Sequence, residues 1–416
     1  MSVATGLSVP RPAATIETVR RVLLWLTVFS GFFVMVEPAP YEIFAVLTMA
    51  LFFVSGLRFR RELLPLLLLL TLWHFGAGMA LIQVAHLPKT TIWTLVGVFL
   101  AMTAFFFALC VADAPEARLR TIVKAWIAGA VAVSLIAIAG YFRVLPNSDE
   151  LLLYGRAKGT FKDPNVFGPF LVLPGLVLIQ RFYTEGKRAG LLAAGLLLII
   201  IAALFLSFSR AAWGNFAACV TLMTGLTLLI VQRPAERARI LLVAIVGVIG
   251  LLVILAVLLM VPQVQSLFEE RASLSQSYDS GHLGRFGRHL LGFQLALERP
   301  FGIGMLQFGK IFGEDPHNTF LNGFMSYGWL GGLAYPTLII LTLVIGYRTV
   351  LVPAPWRPVF VCVLSTFTVL AAMSWIIDID HWRHLYLLLG LVWGLATASS
   401  RVQRRRIAGL RPEVAT

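Results

Sequence analysis

Residues 240–261 read ILLVAIVGVIGLLVILAVLLMV, a stretch without a single charged or strongly polar side chain. At about 1.5 Å per residue, an α-helix of this length runs to roughly 33 Å, enough to cross a bilayer core of about 30 Å. Within lipid every backbone N–H and C=O must be satisfied inside the segment, so a helix is the conformation this run dictates. Arg233, Arg237 and Arg239 stand just before it, and Pro262 opens a polar stretch just after it that continues to Asn318. One stretch thus supplies a span, a basic side and a side that carries a long loop.

Working outward, the same pattern recurs. The chain has 416 residues, of which 59% are hydrophobic and 13% charged, with a mean hydropathy of +0.86. Soluble domains carry about 45–50% apolar and about 25% charged residues. The fold class expected is an all-α integral membrane protein of about twelve transmembrane helices. The spans fall near 22–36, 43–57, 64–85, 92–112, 122–142, 166–183, 189–207, 212–231, 240–261, 319–346, 359–377 and 385–399. The N-terminus shows no small-residue cleavage site behind a short apolar region, so the first run reads as a retained span. Cys110, Cys219 and Cys362 each lie inside an apolar run, which argues against a disulfide framework or a cysteine metal site.

The formal net charge of +14 raises the possibility of nucleic acid, and the distribution of the basic residues removes it. Arg58, Arg60, Arg61, Arg118, Arg120, Lys124, Arg348, Arg357 and Arg404 to Arg406 sit with most of the other Lys and Arg in the short segments on one side. That is the positive-inside pattern, so both termini and these segments are expected in the cytoplasm. The remaining cations lie on the side where cations should be scarce, concentrated in a first periplasmic loop, 143–165, in the link 208–211, and in a long periplasmic loop, 262–318. The long loop is too short and too Gly-rich for a core of its own. It does hold a helical stretch near 285–298, with Phe286, Leu290, Phe293 and Leu297 on one face, expected to lie over the outer mouth of the bundle.

Three clusters on that side invite chemistry. In LSFSRAAWGN (206–215), Arg210 sits in a tight link between two spans, at the depth of lipid headgroups, where it either snorkels or grips an anion. In GRAKGTFKDPNVFGPF (155–170), Arg156, Lys158, Lys162, Asp163 and Asn165 lead into a helix whose first N–H groups Asn165 could cap. Helix N-termini with arginines make anion sites, and phosphate is the obvious anion. In the third, Arg285 and Arg288 lie three apart, on one face of the 285–298 helix.

GEDPHNTFLN (313–322) places His317 and Asn318 between Pro316 and an apolar helix. A neutral imidazole at that junction can accept a proton; Pro316 would set its angle, and Asn318 or Asp315 would hold the imidazole or cap the helix. Gly302 and Gly304 after Pro300 allow a tight return toward the membrane. Gly323, Gly328, Gly331 and Gly332 would let the span below pack closely against its neighbours and limit its tilt. DIDHWRH (378–384) contains His381 and His384 at metal-ligand spacing but lacks the glutamate of a metalloprotease motif, and reads as a polar loop or lid with no metal.

FSRAAW (208–213), GRFGRH (284–289), PFGIG (300–304) and PHNTFLNGFMSYGWLGG (316–332) together resemble the O-antigen ligase and polymerase family, and GTFKDPNVFGPF (159–170) is similar to its first outer loop. The resemblance runs from about Gly155 to Gly332. It implies a membrane glycosyltransferase of the bacterial inner membrane that needs no metal, nucleotide or other cofactor. Such an enzyme moves a glycan from an undecaprenyl-diphosphate carrier to an acceptor hydroxyl at the periplasmic face. Carried over, His317 becomes the base, Arg210 with Arg285 or Arg288 holds the diphosphate, and Arg156, Lys158, Asp163, Asn165 and Asn318 line the substrate site. The acceptor is lipid A–core oligosaccharide in a ligase and another carrier-linked glycan in a polymerase. A transporter or flippase of lipid-linked sugars is a third reading, disfavoured because the span centres show no charge pairs and the halves no symmetry.

Overall fold

The computed structural model describes residues 12–84, 87–185, 190–272 and 285–408. Its helices in chain order are α1 (Pro12–Phe29), α2 (Pro40–Val54), α3 (Leu64–Ala80), α4 (Leu87–Asp113), α5 (Pro115–Tyr141), α6 (Pro164–Glu185), α7 (Gly190–Leu206) and α8 (Arg210–Ile230). They continue as α9 (Pro234–Leu259), α10 (Pro262–Ala272), α11 (Arg285–Glu298), α12 (Phe308–Phe312), α13 (Thr319–Val350), α14 (Arg357–Met373) and α15 (Arg383–Ile407). Proline stands at the first position of α1, α2, α5, α6, α9 and α10. There its missing N–H costs nothing and its fixed φ suits the first turn. Every expected span falls on a helix. Among the described residues eight helices are long and apolar enough to cross a membrane: α3, with its flanking turns, α4, α5, α6, α8, α9, α13 and α15. The helices α2, α7 and α14 are apolar but shorter.

Small residues set the closest helix contacts. A Cβ at Gly390 would lie 2.7 Å from the carbonyl oxygen of Ala104, and one at Gly394 2.7 Å from that of Ala108, which seats α15 on α4. Gly76 and Gly331 play the same part between α3 and α13, where a Cβ on Gly76 would lie 2.8 Å from the Gly331 nitrogen. Where apolar burial drives nothing, as between helices in lipid, such backbone approach is what holds helices together. By contrast Ile240 is the one buried residue of α9. The run that decides the fold class adds almost nothing to the core, as expected of a span that faces acyl chains on nearly all sides.

The helices end in two kinds of surface, a basic end and a loop end. At the basic end Arg118 is buried beneath the ring of Phe52 and bonded through both terminal nitrogens to Glu17, at 2.6 and 2.8 Å. At the loop end the expected amphipathic stretch is α11, with Leu290, Phe293 and Leu297 exposed along one face. The segment 143–165 carries a small hairpin, β1 (Leu152–Leu153) against β2 (Arg156–Ala157).

α13 departs from expectation. The sequence predicts one closely packed span, but Gly328 takes φ 70° and ψ −177°, a conformation open in practice to glycine alone, and the helix breaks there. The freed backbone groups are claimed by PFGIG. Trp329 N–H donates to the Pro300 carbonyl (2.8 Å), Ile303 N–H to Met325 (2.7 Å) and Gly304 N–H to Ser326 (3.2 Å). A Cβ on Gly302 would lie 2.5 Å from the Gly328 nitrogen, so the two glycines meet backbone to backbone. Irregular backbone at this depth is tolerable only when protein satisfies it, and this segment does so.

Candidate functional site at the loop end

The upper half of α13 opens at the loop end, and the site is built around its first residues. Asn318 is the N-cap, its side chain accepting from the Leu321 N–H at 3.0 Å. Just before it, His317 is held at φ 52°, a left-handed conformation uncommon for a non-glycine residue. The constraint comes from both flanks. His289 of α11 donates through Nε2 to the Pro316 carbonyl at 2.8 Å. On the other side Thr319 N–H donates to Ser374 O (2.7 Å), its hydroxyl to Ile377 O (2.9 Å), and Ile379 N–H returns to that hydroxyl (2.9 Å). The segment 374–382 is thereby stapled to the start of α13.

The imidazole of His317 is bracketed by carboxylates. Nε2 lies 3.2 Å from Glu314 Oε1, and Nδ1 3.6 Å from Asp378 Oδ2. Glu314 reaches further, its second oxygen taking a short contact from Nη1 of Arg288, whose side chain α11 buries. Neither Asn318 nor Asp315 holds the imidazole: Asn318 caps α13, and Asp315 accepts from the Gly309 N–H at 3.1 Å. Those two were the expected partners, and Glu314 and Asp378 take their place.

The charges of this cluster are unequal. Burial works against ionisation of Glu314, but hydrogen bonds from Arg288 and His317 outweigh it and hold its carboxyl below the usual range. Burial, followed by the charges of Asp380 and Asp315, pushes the Asp378 carboxyl well above it. Burial also raises Asp315, against the Gly309 N–H that favours its charged form. Asp380 is buried too, yet the charge and hydrogen bond of His381 and the hydroxyl of Tyr327 keep it below its ordinary value. Tyr327, the residue before the break, donates to Asp380 Oδ2 at 2.8 Å. Groups whose environments drive their ionisation apart mark places suited to proton transfer.

The first loop assembles a second group. Arg156 donates through Nε to Ser207 O and through Nη2 to Asn165 Oδ1, both at 3.0 Å. Ser209 donates to the same Asn165 oxygen at 2.7 Å and caps α8 by accepting from Ala212 N–H at 3.2 Å. Arg210 follows directly as the first residue of α8, half-buried. Asn165 was expected to cap α6. Instead Asp163 turns the chain there, its Oδ1 accepting from Asn165 N–H at 2.6 Å, which leaves the Asn165 side chain to join the two loops. Lys158 is half-buried beside them, and Lys162 pairs with Glu37. Asn215 of α8 donates to the sulfur of Met373, at the foot of the segment that carries Asp378. Arg285 begins α11, but its side chain lies outside the described residues.

Of DIDHWRH, His381 stacks on Trp93 at 4.3 Å and bonds its carbonyl at 3.1 Å, while His384 is buried at the start of α15. The stretch is a stapled floor that brings Asp378 to His317. Sequence reading missed Asp378, Glu314, His289 and Tyr327. The one local signal was Glu314 three residues before His317.

Residues 195–336 match the family model described as O-antigen ligase. No curated protein matches the chain. The matched segment contains Arg210, Arg288, Glu314, His317 and the broken part of α13, whereas Arg156, Asn165 and Asp378 lie outside it. Proton-accepting and anion-binding side chains gather at one end of an apolar bundle, and the segment 195–336, which holds part of them, is similar to the O-antigen ligase family.

Proposed function

We propose that the protein transfers a glycan from an undecaprenyl-diphosphate carrier to a hydroxyl of lipid A–core oligosaccharide at the periplasmic face of the bacterial inner membrane. The arrangement that carries this reading is His317, fixed at the mouth of α13 and joined through Glu314 to the buried guanidinium of Arg288. The chain crosses the membrane twelve times in this reading, with both termini in the cytoplasm and the loops 143–165 and 262–318 outside. Arg288 and Arg210 bind the diphosphate, fixed guanidinium groups meeting the charge that develops as it leaves. The acceptor oxygen attacks the anomeric carbon, the bond from that carbon to the diphosphate oxygen breaks, and the acceptor proton passes to His317. A single displacement inverts the anomeric centre. Arg156, Lys158, Asp163, Asn165 and Asn318 shape the substrate site around this centre. A polymerase would use the same residues with a second carrier-linked glycan as acceptor.

The test is transfer by purified enzyme from lipid-linked donor to lipid A–core. His317→Ala should lower turnover by about 10²–10⁴-fold, the usual worth of a general base, while donor binding survives. Arg210→Lys and Arg288→Lys should each weaken transfer, since a point charge does not reproduce bidentate phosphate contact. Near wild-type turnover by His317→Ala would make the histidine a structural residue only.

A further inference from the structure

We infer that the carboxylate of Glu314 occupies the place of a donor phosphate on Arg288, so that the diphosphate binds Arg288 by displacing Glu314 and thereby uncovers Nε2 of His317. The inference rests on the roles given to His317 and Arg288 in the proposed function.

Burial and charge lead to it. Arg288 is only 7% exposed, whereas the Glu314 side chain that neutralises it is 56% exposed. A buried cation needs partners, and one of them here is a carboxylate reaching in from solvent. Guanidinium groups recognise carboxylate and phosphate through the same fork of donors, so one can take the place of the other. Glu314 uses one oxygen on Arg288 and the other on His317 Nε2 at 3.2 Å. A phosphate oxygen that takes the Glu314 position on Arg288 removes the carboxylate from Nε2 as well, since both contacts belong to one side chain.

The backbone allows the exchange. Gly313 sits at φ 84°, and nothing lies within 4 Å of where its Cβ would be, so the chain before Glu314 is free to turn. The residues after it are fixed: Asp315 by Gly309, and Pro316 by His289. The Glu314 side chain can therefore swing out while His317 stays in place. Asp378 remains beside Nδ1, 3.6 Å away, so Nε2 is the nitrogen left facing the acceptor hydroxyl. The base is covered until the donor arrives, so donor precedes acceptor.

The experiment measures binding of farnesyl diphosphate, a short prenyl diphosphate, to the full chain in nanodiscs. Glu314→Gln should bind it about tenfold more tightly than wild type, as the loss of a charge-assisted pair to a partly exposed group implies. Glu314→Ala should shift affinity in the same direction. Arg288→Ala should weaken binding, and Arg288→Ala with Glu314→Gln should bind no more tightly than Arg288→Ala. If Arg288→Ala weakens binding but both Glu314 variants bind no better than wild type, the displacement is wrong and the diphosphate role of Arg288 stands. If Arg288→Ala leaves binding unchanged, that role falls and the inference falls with it.

Discussion

Asp378 is a carboxyl group kept where ionisation is costly. Its Oδ1 is buried without a hydrogen-bond partner among the described residues, and burial with two neighbouring carboxylates raises its pKa well above the usual range. A raised acid pKa means that the folded state holds the proton more tightly than the unfolded chain. Stability is therefore lost as pH rises from the unfolded value, about 3.9, toward the folded one. Asparagine cannot ionise, so Asp378→Asn should melt a few degrees higher than wild type at neutral pH. The gain should vanish below about pH 4. Transfer activity should fall, since an amide can also donate to Nδ1 and so no longer fixes how His317 presents Nε2. Thermal melts across pH, paired with turnover, check both; equal melting temperatures at pH 7 would count against it. At this scale the sequence was half legible. Asn318 as a cap follows from its place between a turn and an apolar run. The partnership of Asp378 with His317 does not, because 374–382 meets the start of α13 through tertiary contacts, among them the hydrogen bonds of Thr319 and the ring contact of Phe320 with Trp375.

Elements were legible wherever their cause is local. Periodicity put a helix near 285–298, and α11 occupies Arg285–Glu298. Apolar runs placed every long helix, because in lipid the run itself determines the structure. The break in α13 was not legible. Its Gly328 reads as one of several packing glycines until PFGIG is seen seated against it. Gly328→Ala forces a side chain into φ 70° and places its Cβ 2.6 Å from the Pro300 carbonyl oxygen. Strain of this kind costs roughly 1–3 kcal/mol before the clash is counted. The variant should therefore lose several degrees of thermal stability in detergent, with reduced yield of monodisperse protein. Gly195→Ala in α7 has open space around it and should be neutral or slightly stabilising. Equal behaviour of the two would show that the break is not required.

For the whole molecule, orientation rests on where the basic residues lie, since that pattern and not the packing sets which face meets the cytoplasm. Tyr154, at the tip of the β1–β2 hairpin, and Leu351, at the basic end of α13, are both well exposed. The three native cysteines are buried, so they add little background to thiol labelling. A membrane-impermeant maleimide should react with Tyr154→Cys in intact spheroplasts and with Leu351→Cys only after lysis. The reverse pattern would invert the protein and move the proposed site to the cytoplasm. Apolar run lengths foretold a multi-span bundle, but which helices touch depends on small residues far apart in the chain, such as Gly390 on Ala104, and no single run carries that information.

The meeting of Gly302 and Gly328 has a consequence for inheritance. Each occupies space that a side chain on the other would need, so neither gains from changing alone. A descendant that straightened α13 would free the PFGIG turn to drift, and one that lost the turn would leave the broken helix with bare carbonyls. Two glycines twenty-six positions apart should thus be kept or lost together, as a single character.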